Sequence, residues 1–186
     1  MKIDLSHKDV TELDFSSHSR HDATAREANA VASVTELTAR CNAIATVTAL
    51  HVFARLVTLD VGRNRIAHLD AGQLPPLLEV LAAPHNDLSE CAFALHLPRL
   101  EFLDVRHNRL GPSLGWAGAD PAVLAASRLR ALRLGHNRLA TVSDAALLPC
   151  LEHLDVAHNA AAAGTAPGTV RGESEAARAA WRFLAG

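Results

Sequence analysis

Apolar residues recur along this chain at a fixed spacing around one asparagine. In residues 100–110 the apolar side chains occupy positions 1, 4, 6 and 11 of a unit, and Asn108 occupies position 9. The same spacing fits around five further asparagines, which are Asn42, Asn64, Asn86, Asn137 and Asn159. Successive asparagines are 22 residues apart, except for a step of 29 residues after Asn108. A period of this length predicts a solenoid of stacked repeats.

The spacing also predicts the local structure of each repeat. Positions 4 and 6 are two residues apart, so their side chains point to one side of a short strand, while positions 3, 5 and 7 point to the other side. Each repeat should therefore add one strand to a parallel sheet. The asparagine falls where the chain leaves the strand, and its amide can bond to backbone groups of the turn. Stacked copies should form a buried ladder of asparagine side chains.

The unit reads L-x-x-L-x-L-x-x-N-x-L, and this motif resembles the leucine-rich repeat. With its 22-residue step the chain is similar to the class of these repeats that is typical of intracellular proteins. The resemblance implies an α/β fold, a right-handed solenoid with a parallel concave sheet and short helical or 3-10 segments on the convex side. It also implies a role like that of phosphatase regulators, dynein light chains or ribonucleoprotein subunits, in which the repeats hold another protein.

The repeats divide the chain into one domain over residues 1–186 with two ends of different pattern. Residues 1–33 form an N-terminal edge repeat, in which Ile3, Leu5 and Val10 fit the apolar positions, followed by a short predicted helix. Residues 34–161 form six repeats, and return segments such as residues 48–55 should be 3-10 or short helical turns. Residues 162–186 predict a C-terminal capping helix, with Trp181 covering the last repeat.

One insertion interrupts the period. Residues 111–127 contain Asp120 followed by Pro121, a pattern that predicts the N-cap and the first residue of a helix. Trp116 lies among glycines in the same stretch. If its ring is exposed it is a candidate anchor for a partner, and if it folds back it only seals the loop. Both readings stay open on the sequence.

Composition narrows the classes of function. The formal net charge of −2 gives no reason to expect direct binding of nucleic acid or of an anionic membrane, and we expect no basic stripe that would contact RNA. No apolar run is long enough for a membrane span or resembles a secretory signal. The three cysteines are not closely spaced, so no disulfide framework or zinc motif is predicted. We expect a cytoplasmic protein, with a cytoskeletal, flagellar or nuclear location left open.

Histidines form the most visible polar pattern. They stand at position 8 of five units, as His7, His85, His107, His136 and His158. Histidines on adjacent strands could share a metal ion, so a metal-binding or enzymatic protein built on this column is the alternative hypothesis. No carboxylate or cysteine joins the row of three adjacent histidines, His85, His107 and His136, and no motif of a known catalytic mechanism occurs. We therefore expect no enzymatic activity, no metal site and no cofactor.

The outward positions of the central strands predict a binding surface on the concave sheet. An apolar centre with a charged rim is a common composition of protein interfaces. The partner-binding candidates are Val80, Ala82, Pro84 and Phe102 at the centre, Asp60, Asp104, Arg106 and Arg133 around it, and Trp116 in the insertion. The sequence thus favours a non-enzymatic protein–protein interaction module, a monomeric scaffold or regulatory subunit of a larger intracellular complex.

Overall fold

The computed structural model describes residues 1–16 and 30–160, and within them every strand has three residues. The strands are β1 (Lys2–Asp4), β2 (Glu12–Asp14), β3 (Glu36–Thr38), β4 (Thr46–Thr48), β5 (Thr58–Asp60), β6 (Val80–Ala82), β7 (Phe102–Asp104), β8 (Ala131–Arg133) and β9 (His153–Asp155). In seven of the nine, all except β2 and β4, the strand begins at position 3 of its repeat and ends at position 5, where the alternating pattern predicts it.

Seven of these strands form one parallel sheet in the order β1-β3-β5-β6-β7-β8-β9. The register joins equivalent repeat positions throughout: Leu59 lies opposite Leu81, and Leu81 lies opposite Leu103. The incomplete first repeat obeys the same register, because Ile3 of β1 lies opposite Leu37 of β3. The predicted leucine-rich-repeat solenoid is therefore confirmed.

The return segments mostly form 3-10 helices, as predicted. They are η1 (Leu50–Val52), η2 (Ala71–Gln73), η3 (Ala92–His96) and η4 (Ser143–Leu147). The first two repeats differ, because there β2 and β4 pair in a separate two-stranded parallel sheet. Both strands alternate exposed and buried residues, with Leu13 and Val47 pointing into the core. This second sheet is not among the sequence predictions.

Asparagine side chains connect each repeat to the one before it. Asn86 is only 6% exposed, and its Oδ1 accepts a hydrogen bond from the Ile66 backbone N–H at 2.9 Å. Its Nδ2 donates to the carbonyl oxygens of Val61 in the previous repeat, at 3.0 Å, and of Ala83 in its own repeat, at 3.2 Å. Asn108 makes the equivalent contacts one repeat later. The predicted asparagine ladder is thus present.

The insertion folds back onto the main core. Its helix α1 (Pro121–Ala126) is capped by the Asp120 carboxylate, which accepts a hydrogen bond from the Ala122 N–H at 2.8 Å, as the Asp-Pro pattern predicts. Trp116 is fully buried among core residues, and its backbone N–H donates to the Asp144 carboxylate at 3.0 Å.

The predicted ends of the chain are only partly covered. Most of the predicted N-terminal helix lies outside the described residues, and the predicted C-terminal cap lies outside them entirely. Across residues 1–16 and 30–160, no helix has the length and apolar character to cross a membrane.

Candidate functional site

The concave face of the seven-stranded sheet carries an apolar cluster that is separate from the main core. It consists of Phe102 and Ala131, each 2% exposed, with the partly exposed Val80 packed against them. These side chains stand at position 3 of three adjacent strands, β6, β7 and β8. The guanidinium carbon of Arg133 lies 5.5 Å from the centroid of the Phe102 ring, within the range of a cation–π contact.

Asp104 organises the charges beside this cluster. Arg106 donates two hydrogen bonds to its carboxylate, from Nε to Oδ1 at 3.0 Å and from Nη2 to Oδ2 at 2.8 Å. Arg133 reaches the same carboxylate from the next strand, with Nη1 at 3.4 Å from Oδ2. Such two-pronged arginine–carboxylate contacts fix geometry as well as charge. The hydrogen bond with Asp104 raises the pKa of Arg106, whereas burial lowers the pKa of Arg133.

Asp60 forms a second, looser charged group two strands away. Its Oδ1 accepts a hydrogen bond from the Gly62 N–H at 2.9 Å, and its Oδ2 lies 3.5 Å from Nε of Arg40. Burial raises the pKa of the Asp60 carboxyl, and the Gly62 N–H and Arg40 act in the opposite direction. Between the two charged groups lies Ala82, which is fully buried. The concave face therefore holds charges that are already paired.

The structure corrects the predicted exposure of this surface. Six of the candidate residues point to the concave side but are buried: Asp60, Ala82, Pro84, Phe102, Asp104 and Arg133. Equivalent side chains on strands about 4.8 Å apart pack against one another, and the Arg106 side chain lies against the Asp104 carboxylate. Val80 and Arg106 remain partly exposed, together with Glu36, Arg40 and Thr58 on the neighbouring strands.

Trp116 is not an exposed anchor. Its side chain has no solvent-exposed area, and its indole N–H has no hydrogen-bond partner among the described residues. Of the two readings that the sequence left open, the structure supports the one in which the ring seals the insertion. We therefore withdraw Trp116 as a partner-binding candidate.

Four of the position-8 histidines form one continuous stack. His85, His107, His136 and His158 follow one another with ring centroids 4.0 Å apart at each step. The angles between successive ring planes are 9°, 11° and 17°. We call these four residues the histidine stack. His7 has the same left-handed backbone conformation but is separated from the stack by Cys41 and Arg63, which occupy position 8 of the intervening repeats.

This geometry does not suit a metal ion. In nearly parallel rings the nitrogen lone pairs run side by side, so they do not converge on a point about 2.0–2.1 Å from two nitrogens, as zinc ligation needs. No group of three or more histidine, cysteine, aspartate or glutamate side chains within residues 1–16 and 30–160 is arranged to hold a metal. The histidine stack therefore gives no support to the metal-binding alternative.

Comparison with known proteins adds to this picture at the level of the fold. No protein-family model matches the sequence, and neither does any curated protein. Among solved structures, an internalin (InlF) from Listeria monocytogenes is similar with a TM-score of 0.61 and 23% identity, over 85% of this chain and 42% of that chain. The functional domain of InlJ from Listeria monocytogenes, which includes a cysteine ladder, has a TM-score of 0.50 and 18% identity, over 68% of this chain and 26% of that one.

At these identities the likeness concerns the fold. This chain spans less than half of the length of either internalin. Sheet order, register, asparagine ladder and structural neighbours agree on one class: the chain is a leucine-rich-repeat solenoid with a seven-stranded parallel sheet.

Proposed function

We propose that this chain is a protein-binding module that engages a protein partner with the concave face of its sheet. The observation that carries the proposal is the partly exposed Val80 beside charges held in place by Asp104 and Arg106. Repeat solenoids use their concave faces as extended binding surfaces. Side chains that are already fixed lose little conformational entropy when a partner binds, which favours affinity.

The accessible part of this surface runs from β3 to β7. Glu36 begins β3 and Arg40 follows that strand, while Thr58 lies at the start of β5. Val80 and Arg106 lie on the next two repeats. The surface is thus small, apolar at one point and charged at its edges, which is the composition of many protein interfaces. Its buried neighbours, Phe102 above all, act by supporting Val80 from one side.

The proposal extends to the setting of the protein. We propose a monomeric scaffold or regulatory subunit of a cytoplasmic assembly, without catalytic activity. The resemblance of the 22-residue repeats to intracellular leucine-rich repeats supports this setting, as does the absence of any motif of a known catalytic mechanism in the sequence.

The test is affinity purification from the native cell with three forms of the chain. The wild type is compared with Val80→Glu, which puts a charge on the accessible apolar point, and with Ala54→Glu, which puts the same charge at an exposed site outside the sheet. We expect a protein that co-purifies with the wild type and with Ala54→Glu and is lost with Val80→Glu.

A second variant separates loss of binding from loss of folding. Thr58→Arg changes the charge of the same surface at a partly exposed position outside the apolar cluster, so its stability should stay within about 1 kcal/mol of the wild type. A partner that is retained by both Val80→Glu and Thr58→Arg, or lost equally with Ala54→Glu, contradicts binding on the concave face.

A further inference from the structure

The turns that follow the strands bring a second set of charged residues together. Positions 8 and 10 flank the ladder asparagine at position 9, and their side chains are mostly exposed. In the repeats that contain β5 to β9, position 8 carries Arg63 and then the histidine stack. In the first four of these repeats, position 10 carries Arg65, Asp87, Arg109 and Arg138. We define the basic rim as the histidine stack together with Arg63, Arg65 and Arg138.

The charges of the basic rim are not neutralised by its neighbours. Asp87 is the one carboxylate at these positions of the same repeats, and Arg109 holds it with Nη2 at 2.6 Å from Oδ1. Within residues 1–16 and 30–160, Arg63, Arg65 and Arg138 make no ion pair. The expectation that the chain has no basic stripe is therefore corrected. The arginines are far apart in sequence, and the stacking of repeats aligns them.

We propose that the basic rim binds an acidic polypeptide segment of a partner and that protonation of the histidine stack strengthens this binding. The stack is about 12 Å long, from three centroid steps of 4.0 Å. An extended chain rises about 3.4 Å per residue, so a segment of about four residues lies along it. Its carboxylates can accept hydrogen bonds from the ring edges and ion pairs from the flanking arginines.

Single-stranded nucleic acid fits the rim less well. Proteins that bind it offer aromatic faces on which bases stack. In the histidine stack the ring faces are turned toward one another, 4.0 Å apart, so that mainly the edges remain for a ligand. Edges and guanidinium groups recognise carboxylates without any aromatic platform.

The spacing of the rings makes the rim sensitive to pH. Two imidazolium ions about 4 Å apart repel each other by about 1 kcal/mol in water and about 4 kcal/mol at an effective dielectric of 20. Burial lowers the pKa of His107, and so do His85, His136 and Arg106, while Asp104 acts in the opposite direction.

His85, the ring stacked next to His107, is affected in a similar way. Burial lowers its pKa, Arg63, Arg106 and His136 lower it further, and Asp104 again opposes them. In the free protein His85 and His107 therefore resist taking up protons. A bound carboxylate relieves this repulsion, so binding takes up protons and the affinity rises as the pH falls.

This surface is distinct from the proposed concave site, although Arg106 and Asp104 of the concave site act on the pKa values of His85 and His107. The basic rim follows the carboxyl ends of the strands, whereas the concave site lies on their outward side chains. Val80→Glu therefore tests the concave face, and the rim variants below test the basic rim. Either proposal can fail without the other.

The experiment measures binding of a fluorescein-labelled hexaglutamate peptide to the full chain by fluorescence anisotropy, at low salt, at about pH 5.5 and about pH 7.5 on either side of the histidine range. We expect binding at least about tenfold tighter at the lower pH, because an additional charge-assisted contact contributes about 1.4 kcal/mol or more. A labelled six-residue oligothymidylate is measured in parallel.

Two double variants assign the effect to the basic rim. Arg65→Gln with Arg138→Gln should weaken peptide binding at both pH values. His107→Asn with His136→Asn should remove most of the pH dependence, and asparagine suits the left-handed backbone at these sites, with φ of 54° and 57°. Circular dichroism spectra should match that of the wild type.

Matched controls carry the same changes elsewhere. Arg55→Gln with Arg99→Gln, and His51→Asn with His96→Asn, alter exposed residues outside the basic rim. These controls should bind like the wild type. Four results overturn the proposal: no peptide binding, binding independent of pH, equal losses in the controls, or tighter binding of the oligothymidylate than of the peptide.

Discussion

Replacing Asn86 by leucine tests the asparagine ladder at the centre of the fold. Leucine has the same number and branching of side-chain heavy atoms and is more apolar, so burial alone predicts no large loss. The change removes four hydrogen bonds, however, which join Asn86 to the Ile66 N–H and to the carbonyls of Val61, Ala83 and Pro84.

These four backbone groups are not affected equally. The Ile66 N–H has no other acceptor among the described residues, so it loses its only partner. An unsatisfied buried donor costs about 1–3 kcal/mol. The Val61 carbonyl keeps a bond from Asn64 at 2.8 Å, and the Ala83 carbonyl keeps one from Asn108 at 3.0 Å. Each of these loses one of two bonds, at about 0.5–1 kcal/mol. The bond to the Pro84 carbonyl is the longest, at 3.4 Å, and that carbonyl keeps a bond from the Arg63 N–H at 2.8 Å, so its loss adds little. We expect a total loss of about 2–5 kcal/mol.

The assay is urea denaturation followed by circular dichroism, with Ser89→Leu as the control. Ser89 is exposed and lies three residues beyond Asn86, so the same new side chain there should change the free energy of unfolding by less than about 0.5 kcal/mol. If Asn86→Leu unfolds at the same urea concentration as Ser89→Leu, the ladder contributes no stability and the reasoning fails.

Three further outcomes can be measured on the purified chain. Gly111→Ala should lower the free energy of unfolding by about 2 kcal/mol or more, because φ is +152° and a Cβ there presses on a backbone carbonyl. Gly115→Ala places its Cβ in open space and should cost only about 1–2 kcal/mol, and thermal denaturation measures both changes. Phe102→Ala should cost about 3 kcal/mol in urea, not the near-zero cost of an exposed site. The folded-state pKa values of His85 and His107 are lowered from 6.5, so the unfolded chain binds protons first as the pH decreases. The melting temperature should therefore decrease as the pH is lowered below about 6.5, and it should decrease less in the double variant His85→Asn with His107→Asn.

The repeat pattern predicts the fold well because each buried position has one physical role. Position 4 must be apolar to fill the core between neighbouring repeats, as Leu81 and Leu103 do, and position 9 must satisfy the turn, as Asn86 does. Both requirements are local to a single unit, so they can be recognised without knowledge of the other units. The same locality made the helix after Asp120 predictable.

The surface could be predicted only in part, because its properties depend on contacts between repeats. The alternation shows that Asp104 points to the concave side, but its burial depends on Arg106 and on Arg133, which is 29 residues away along the chain. The burial of Trp116 likewise depends on Asp144 and on the core residues that its ring contacts. The second sheet is not predicted because β2 and β4 lie beyond position 11 of their repeats, outside the motif whose spacing indicates a strand.

The two proposed surfaces differ in how their charges can act on a partner. On the concave face Asp104 is paired with two arginines, Arg106 and Arg133. These three residues contribute shape and fixed geometry but little electrostatic field at a distance. On the basic rim Arg63, Arg65 and Arg138 lack such partners among the described residues, and their field extends over about one screening length, roughly 8 Å in physiological salt. Unpaired surface charges mainly accelerate encounter, whereas buried apolar contacts mainly slow dissociation. A partner protein with an acidic segment beside an apolar patch would therefore use both surfaces. The basic rim would speed its association, and the concave face would slow its dissociation.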